Sequence, residues 1–155
     1  MIHSGIEGKI IKLDPLLDDG EIFEQYTFIE LLNGAIIRLF DYKILAQESI
    51  VGQTKNMVIS AFIPEIEKNL SQKFFVESCI KSIDQNNLKC DHFIFSGSLV
   101  GFDETWKNPI MDIGCGRILI SAHKSQLEGI ETGDFLTVTA RRIDLEVIEP
   151  PSSKN

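Results

Sequence analysis

Hydrophobic residues along this chain recur mainly at every second position, the period of a strand with one buried face. Gly8 to Asp14 (GKIIKLD) reads as a first strand that stops at Pro15, and LLDDGE then holds Asp19-Gly20, a strong hairpin signal. IFEQYTFIELL follows, rich in the aromatic and branched residues that suit a pleated surface, and Asn33-Gly34 turns it into Ala35 to Phe40. After a polar patch and Val51-Gly52, NMVISAFI predicts a strand closed by Pro64. Further on, Phe93 to Phe102 predicts a strand with internal glycines, as at barrel corners, and ETWKNP a turn. IMDIGCG leads to RILISA, and Gly133-Asp134 opens FLTVTARRIDLEVI, read as one strand ending at Pro150-Pro151. The last residues, 150–155, read as a frayed tail.

Between these β-rich stretches the spacing changes. From Pro64 to Asn87, Ile66, Leu70, Phe74 and Cys79 to Ile83 fall near one face at helical spacing, which predicts a helix over the first part. The competing reading ends a short helix near Gln72 and makes KFFVESCIKSI a strand; DQNN is a turn in both. The flanking halves share a layout. NGAIIRLF followed by VGQTKNMVISA answers CGRILISA followed by TGDFLTVTA, with 18 residues from Gly34 to Gly52 and 17 from Gly116 to Gly133. Ser4-Gly5 and Ser96-Gly97 open the two halves. The expected fold is mostly β: a barrel-like half at 1–64, a helix and connector at 65–91 and a second barrel-like half at 92–149.

Charge then narrows the function classes. The chain carries 15 basic and 23 acidic residues, a net −8, spread evenly over both halves. Affinity for a phosphate backbone comes from clustered Lys and Arg, and Arg141-Arg142 is the one adjacent pair. Nucleic acid is therefore disfavoured. No apolar run approaches a membrane span, and the start MIHSGIEGKI lacks a signal-peptide pattern, so the expectation is a cytoplasmic protein. The cysteines Cys79, Cys90 and Cys115 form no C-x-x-C pair, which predicts free thiols rather than a disulfide framework.

Candidate chemistry is sparse. MDIGCGRI (Met111 to Ile118) resembles the start of a nucleotide site, but branched, alternating residues follow it where such a site needs a helix. It predicts a strand, a tight glycine turn and a second strand. Cys115, between glycines, and His123 could form a nucleophile–base pair only within hydrogen-bond reach. Cys90-Asp91-His92 offers two metal-capable side chains on one side of an extended chain; a firm site needs a third and a fourth, for which His3, His123, Cys79 and carboxylates are the candidates. The acidic turn at Asp18-Asp19 lacks calcium-loop spacing. Trp106 lies among polar residues, as a lid over a barrel end or an exposed contact.

GRILISAHKSQLEGIETGDFLTV resembles the second half of a cold-shock or S1-like OB barrel, in which a G-D step opens a strand. NGAIIRLFDYKILAQESIVGQTKNMVI resembles the same layout, and Gly8 to Asp14 fits a first barrel strand. The resemblance implies two small OB-like or related barrels. RILISA, however, has none of the stacking aromatics of the strand-binding members. The sequence thus points to a non-enzymatic protein-interaction module with an acidic surface, without catalytic residues, cofactor or metal, binding through Trp106, Tyr26, Phe28 and Tyr42. A homo-oligomer would protect strand edges. The alternative, an OB-type module for single-stranded nucleic acid, needs Lys9, Lys12, Arg38 and Lys43, or Arg117, Arg141 and Arg142, beside exposed aromatics. A third, a small enzyme or ligand-binding barrel, needs Cys115 beside His123.

Overall fold

Eleven strands run through residues 4–83 and 90–149, the parts of the chain that the computed structural model describes. They are β1 (Gly5–Asp18), β2 (Glu21–Leu31), β3 (Ile36–Asp41), β4 (Thr54–Phe62), β5 (Glu65–Lys68), β6 (Phe75–Ser78), β7 (Phe93–Phe102), β8 (Pro109–Asp112), β9 (Arg117–Ser121), β10 (Phe135–Ala140) and β11 (Ile143–Ile148). Among the described residues there is no α-helix, and two short 3-10 turns, Glu48–Ile50 and Lys124–Leu127, are the helical elements. The expected turn at DQNN and the tail at 150–155 lie outside the described residues.

Five strands close on themselves in the order β1-β2-β3-β11-β4, with β4 returning to β1 to complete a mixed barrel of OB-like size. β11 runs parallel to β3 and antiparallel to β4. The expected pair of barrels thus appears as one closed ring with six further strands, attached through the parallel pairing of β4 with β9. Alternation explains the ring's interior. In β3 every second residue is buried, and the inward set Ile10, Ile29, Ile37, Leu39, Ile59 and Leu145 is fully shielded from water. Burying each such side chain contributes roughly 1.5–3 kcal/mol. Phe93, Phe95, Leu99, Met111 and Val138 extend the same core under the other strands.

The strand expected over residues 135–148 is in fact two, and the break at Arg141-Arg142 redirects the chain. β11 follows β10 but pairs with β4, and β5 follows β4 but pairs with β10. The registers agree residue for residue. Ile66, seven positions after Ile59, sits opposite Val138, and Leu145, seven after Val138, sits opposite Ile59. The Ser-Gly correspondence is one residue out: Gly5 faces Val58, whereas Ser96 faces its counterpart Thr137.

The helix expected at 65–91 is not there. Its first part is β5, and Phe75–Ser78 is β6, as in the competing reading. Leu70, placed on the apolar helix face, is 97% exposed, and Gln72 adopts a left-handed φ of 52° that no helix tolerates. Edge pairing decides the matter: β10 and β7 present backbone groups that β5 and β6 satisfy, which a helix could not. Asn69 fastens the crossing by donating to Ser96 Oγ (3.2 Å) and Thr137 Oγ1 (2.7 Å).

Two further expectations change. β1 continues through Pro15 into a long hairpin with β2, closed at Asp19-Gly20 with φ of 51° and 82°. Pro15 is tolerated because that part of β1 has no strand on its outer side among the described residues. Cys79 and Cys90, 11 positions apart in sequence, form a disulfide with Cα atoms 5.5 Å apart, leaving Cys115 as the free thiol. Spacing alone did not reveal this, because the juxtaposition comes from β6 lying against the start of β7. The MDIGCGRI stretch is strand, glycine turn and strand, as expected, with Gly114 at φ 92° and Asp112 Oδ1 accepting its N–H at 2.8 Å.

Candidate functional site: an aromatic groove with acidic walls

β3 carries Arg38 and Phe40 on the face turned away from the barrel interior, and Tyr42 follows immediately. The rings of Tyr26, Phe40 and Tyr42 form a ladder, with centroids 5.8 Å and 5.9 Å apart. Offset and tilted ring pairs of this kind are worth about 0.5–1.5 kcal/mol beyond their burial. At the break before β11, the Arg142 guanidinium lies 4.8 Å from the Phe40 centroid and 4.0 Å from that of Phe62. Its Nε and Nη2 donate to the two carboxylate oxygens of Asp144 at 2.6 and 3.1 Å. That fork raises the Arg142 pKa above its ordinary value, chiefly through the hydrogen bond to Asp144, so the side chain stays charged.

The opposite wall is the β7–β8 turn. Asp103 organises it, accepting from the N–H groups of Trp106 (2.7 Å) and Asn108 (2.8 Å). Trp106 is therefore held on an ordered turn while 75% exposed, which is not the folded-back burial of a lid. Between the walls runs an open groove of about 1010 Å³, floored by Val58, Ser60 and Leu119. Four carboxylates line it, Glu24, Asp103, Asp144 and Glu146, against two cations, Lys43 and Arg142. Asp103 is committed to its turn and Asp144 to Arg142. Glu24 and Glu146 make no ion pair or side-chain hydrogen bond among the described residues.

The residues singled out from sequence divide accordingly. Tyr42, Trp106, Lys43 and Arg142 line the groove, and Tyr26 adjoins it through Phe40. Phe28 does not: it is 4% exposed and belongs to the core. Arg38 lies over Tyr26 (4.8 Å), Lys12 over Phe28 (5.7 Å) and Lys43 over Tyr42 (5.4 Å). Lys9 is exposed on β1, Arg141 is exposed at the β10–β11 break, and Arg117 starts β9 opposite Asp112, at the far end of that strand from the groove. Phe62 and Asp144 were missed. The one sequence signal for them was the unrecognised break at Arg141-Arg142, which carries Arg142 between the two phenylalanines.

Cys115 and His123 are not brought together. They flank opposite ends of β9, whose five residues at about 3.3 Å each separate them by roughly 17 Å. Burial pushes the Cys115 thiol above its ordinary pKa, with nearby Asp112 adding to the effect, which disfavours the reactive thiolate. Cys90 is taken by the disulfide, and His92 faces Asp91 Oδ1 at 3.5 Å. Among the described residues no group of three or more His, Cys, Asp or Glu side chains could hold a metal ion. No described helix is long and apolar enough to cross a membrane.

Comparison with protein-family models, curated proteins and solved structures finds no match for this chain.

Proposed function

We propose that this protein is a non-enzymatic interaction module, an internally duplicated OB-like unit whose groove binds a basic segment of another protein. The observation that carries the reading is the groove's composition: exposed aromatic rings beside two uncommitted carboxylates, with Arg142 neutralised by Asp144. Aromatic faces attract Lys and Arg at about 0.5–1 kcal/mol per exposed contact, and carboxylates at the rim steer cations in. The matched registers of β5 on β10 and β11 on β4 support the duplication.

A second reading has its own support. Arg38 over Tyr26 and Lys43 over Tyr42 place cations beside rings on the β2–β3 face, the face that OB barrels use for oligonucleotides. The net charge of −8 and the acidic groove weigh against it.

Trp106 is the sole tryptophan, so its fluorescence reports groove occupancy without a label. The protein is titrated with a Lys/Arg-rich peptide and with a mixed-sequence single-stranded oligonucleotide, at low and physiological salt. A saturable Trp106 response to the peptide alone supports the interaction module. A response to the oligonucleotide that weakens steeply with salt replaces it with the nucleic-acid reading.

A further inference from the structure

The β1–β2 hairpin extends beyond the barrel, and one of its edges is open. β2 pairs with β3 from Gln25 to Glu30, but Glu21 to Glu24 have β1 on one side and, among the described residues, no strand on the other. The reason lies in Asp41, the last residue of β3. Its carboxylate accepts from Gln25 Nε2 and from the N–H groups of Leu45 and Ala46, and so turns the chain off the track that would have covered this edge. The vacated track points into the groove, since Glu24, Tyr42 and Lys43 line its near end.

Folded proteins blunt open edges with Lys, Pro or bulges. The outer edge of β1 carries Lys12 and Pro15, whereas Glu21 to Glu24 carry neither Lys nor Pro. Their one irregularity is a bulge at Phe23, since Leu16 and Leu17 face Glu24 and Ile22, and the outward edge is still unpaired among the described residues. A two-stranded ribbon is marginal alone, and this one exposes Leu17 (59%), Ile22 (45%) and Phe23 (54%), with Leu17 and Ile22 directly cross-strand. Residues 13–25 hold five acids, Asp14, Asp18, Asp19, Glu21 and Glu24, and no base. A second copy of the hairpin would bring like charges together, so charge complementarity selects a basic partner.

We infer that an extended segment of a partner protein, alternating basic and apolar residues, adds as a strand to β2 beside Glu21–Glu24 and runs on into the groove. This rests on the groove reading and specifies its binding mode: backbone hydrogen bonds to the β2 edge, with cationic side chains toward the carboxylates and apolar ones over Ile22 and Phe23.

The test uses the whole protein and a capped peptide of alternating Lys and Val, about eight residues long. Trp106 fluorescence reads the groove, and amide hydrogen exchange by NMR reads the edge. The expected result is a Trp106 response together with slowing, by about tenfold or more, of the outward-facing amides among residues 21–24. N-methylating one alternate set of peptide amides should weaken binding at least about tenfold, while methylating the other set should not. A Trp106 response without protection at 21–24, or equal effects of both methylated sets, overturns strand addition and leaves the groove reading intact. Protection at 21–24 without a Trp106 response keeps strand addition at the edge and removes the groove from the path. No response in either readout removes both. Concentration-dependent self-association with the same protection, in the absence of peptide, assigns the edge to a second copy and overturns the basic partner.

Discussion

Replacing Asp41 by alanine probes the junction on which both barrel and groove depend. The carboxylate is fully buried and accepts three hydrogen bonds, from Gln25 Nε2 (2.9 Å), Leu45 N (2.8 Å) and Ala46 N (2.9 Å). Gln25 keeps one bond after the change, to the Ala46 carbonyl at 2.6 Å, but its second amide hydrogen is orphaned along with the Ala46 N–H. Both sites are essentially closed to water, at 2% and 1% exposure, while the half-buried Leu45 can be hydrated. Each buried orphan costs about 1–3 kcal/mol, and relief from burying the carboxylate offsets part of the sum. The expected loss is about 3 kcal/mol, a large share of the roughly 5–15 kcal/mol that holds a domain folded. With a urea m-value of about 2 kcal/mol/M, the unfolding midpoint should fall by about 1.5 M at unchanged slope. Asp41→Asn keeps one acceptor oxygen and should lose about half as much. The Leu45 and Ala46 amides should also exchange faster in Asp41→Ala. A midpoint within about 0.3 M of the parent would refute the reasoning, because it would mean that the network contributes almost nothing.

Three further outcomes can be checked by similar means. Thr27 is fully buried and its hydroxyl has no hydrogen-bond partner among the described residues, so Thr27→Val should raise stability by about 1 kcal/mol in the same urea assay; a loss of stability would contradict the assignment. Thiol titration in denaturant should count one free cysteine per chain before reduction and three after it, and in the native state burial should make the Cys115 thiol react slowly at pH 8; three thiols before reduction would disprove the Cys79–Cys90 bond. The Glu131 N–H, donated to the Asp134 carboxylate, holds that group below its ordinary pKa, with Lys68 adding to the effect. Its stabilising contribution is therefore present above an unfolded pKa of about 3.9 and is lost as pH falls through the lower folded value. The advantage of the parent over Asp134→Asn should shrink between about pH 5 and 2; an advantage constant over that range would count against the shift.

Much of this architecture was legible in local patterns. Period-two alternation marked most of the strands, and Phe93 to Phe102 matches β7 end to end. Asp19-Gly20 and Asn33-Gly34 announced their turns because φ above zero there favours residues that tolerate it, and Asp19, Gly20 and Gly34 all adopt it. Branched residues after Gly116 ruled out a helix, and so the nucleotide-site reading of MDIGCGRI, since that choice depends on residues within one strand length. Tyr42 and Trp106 were recognisable as candidate contacts because aromatic residues among acids and turn formers have no local apolar face to join.

What required the tertiary structure was everything set by partners distant in sequence. Whether residues 65–78 form a helix or edge strands depended on the unpaired backbone of β10 and β7, not on their own spacing. Phe28 shares the outward face of its cross-strand partner Arg38, yet it is buried there, with Lys12 over its ring. The disulfide and the Arg142–Asp144 fork between Phe40 and Phe62 exist because strands far apart in the chain meet there. The reciprocal placement of β5 and β11 also lies beyond local reading. A strand's alternation says which side it buries but not which neighbour supplies its hydrogen bonds, and that choice is made by the fold as a whole. The sequence by itself therefore determined most of the strands and their inward faces, while the pairing of those strands decided what residues 65–78 became and where the groove and the open edge lie.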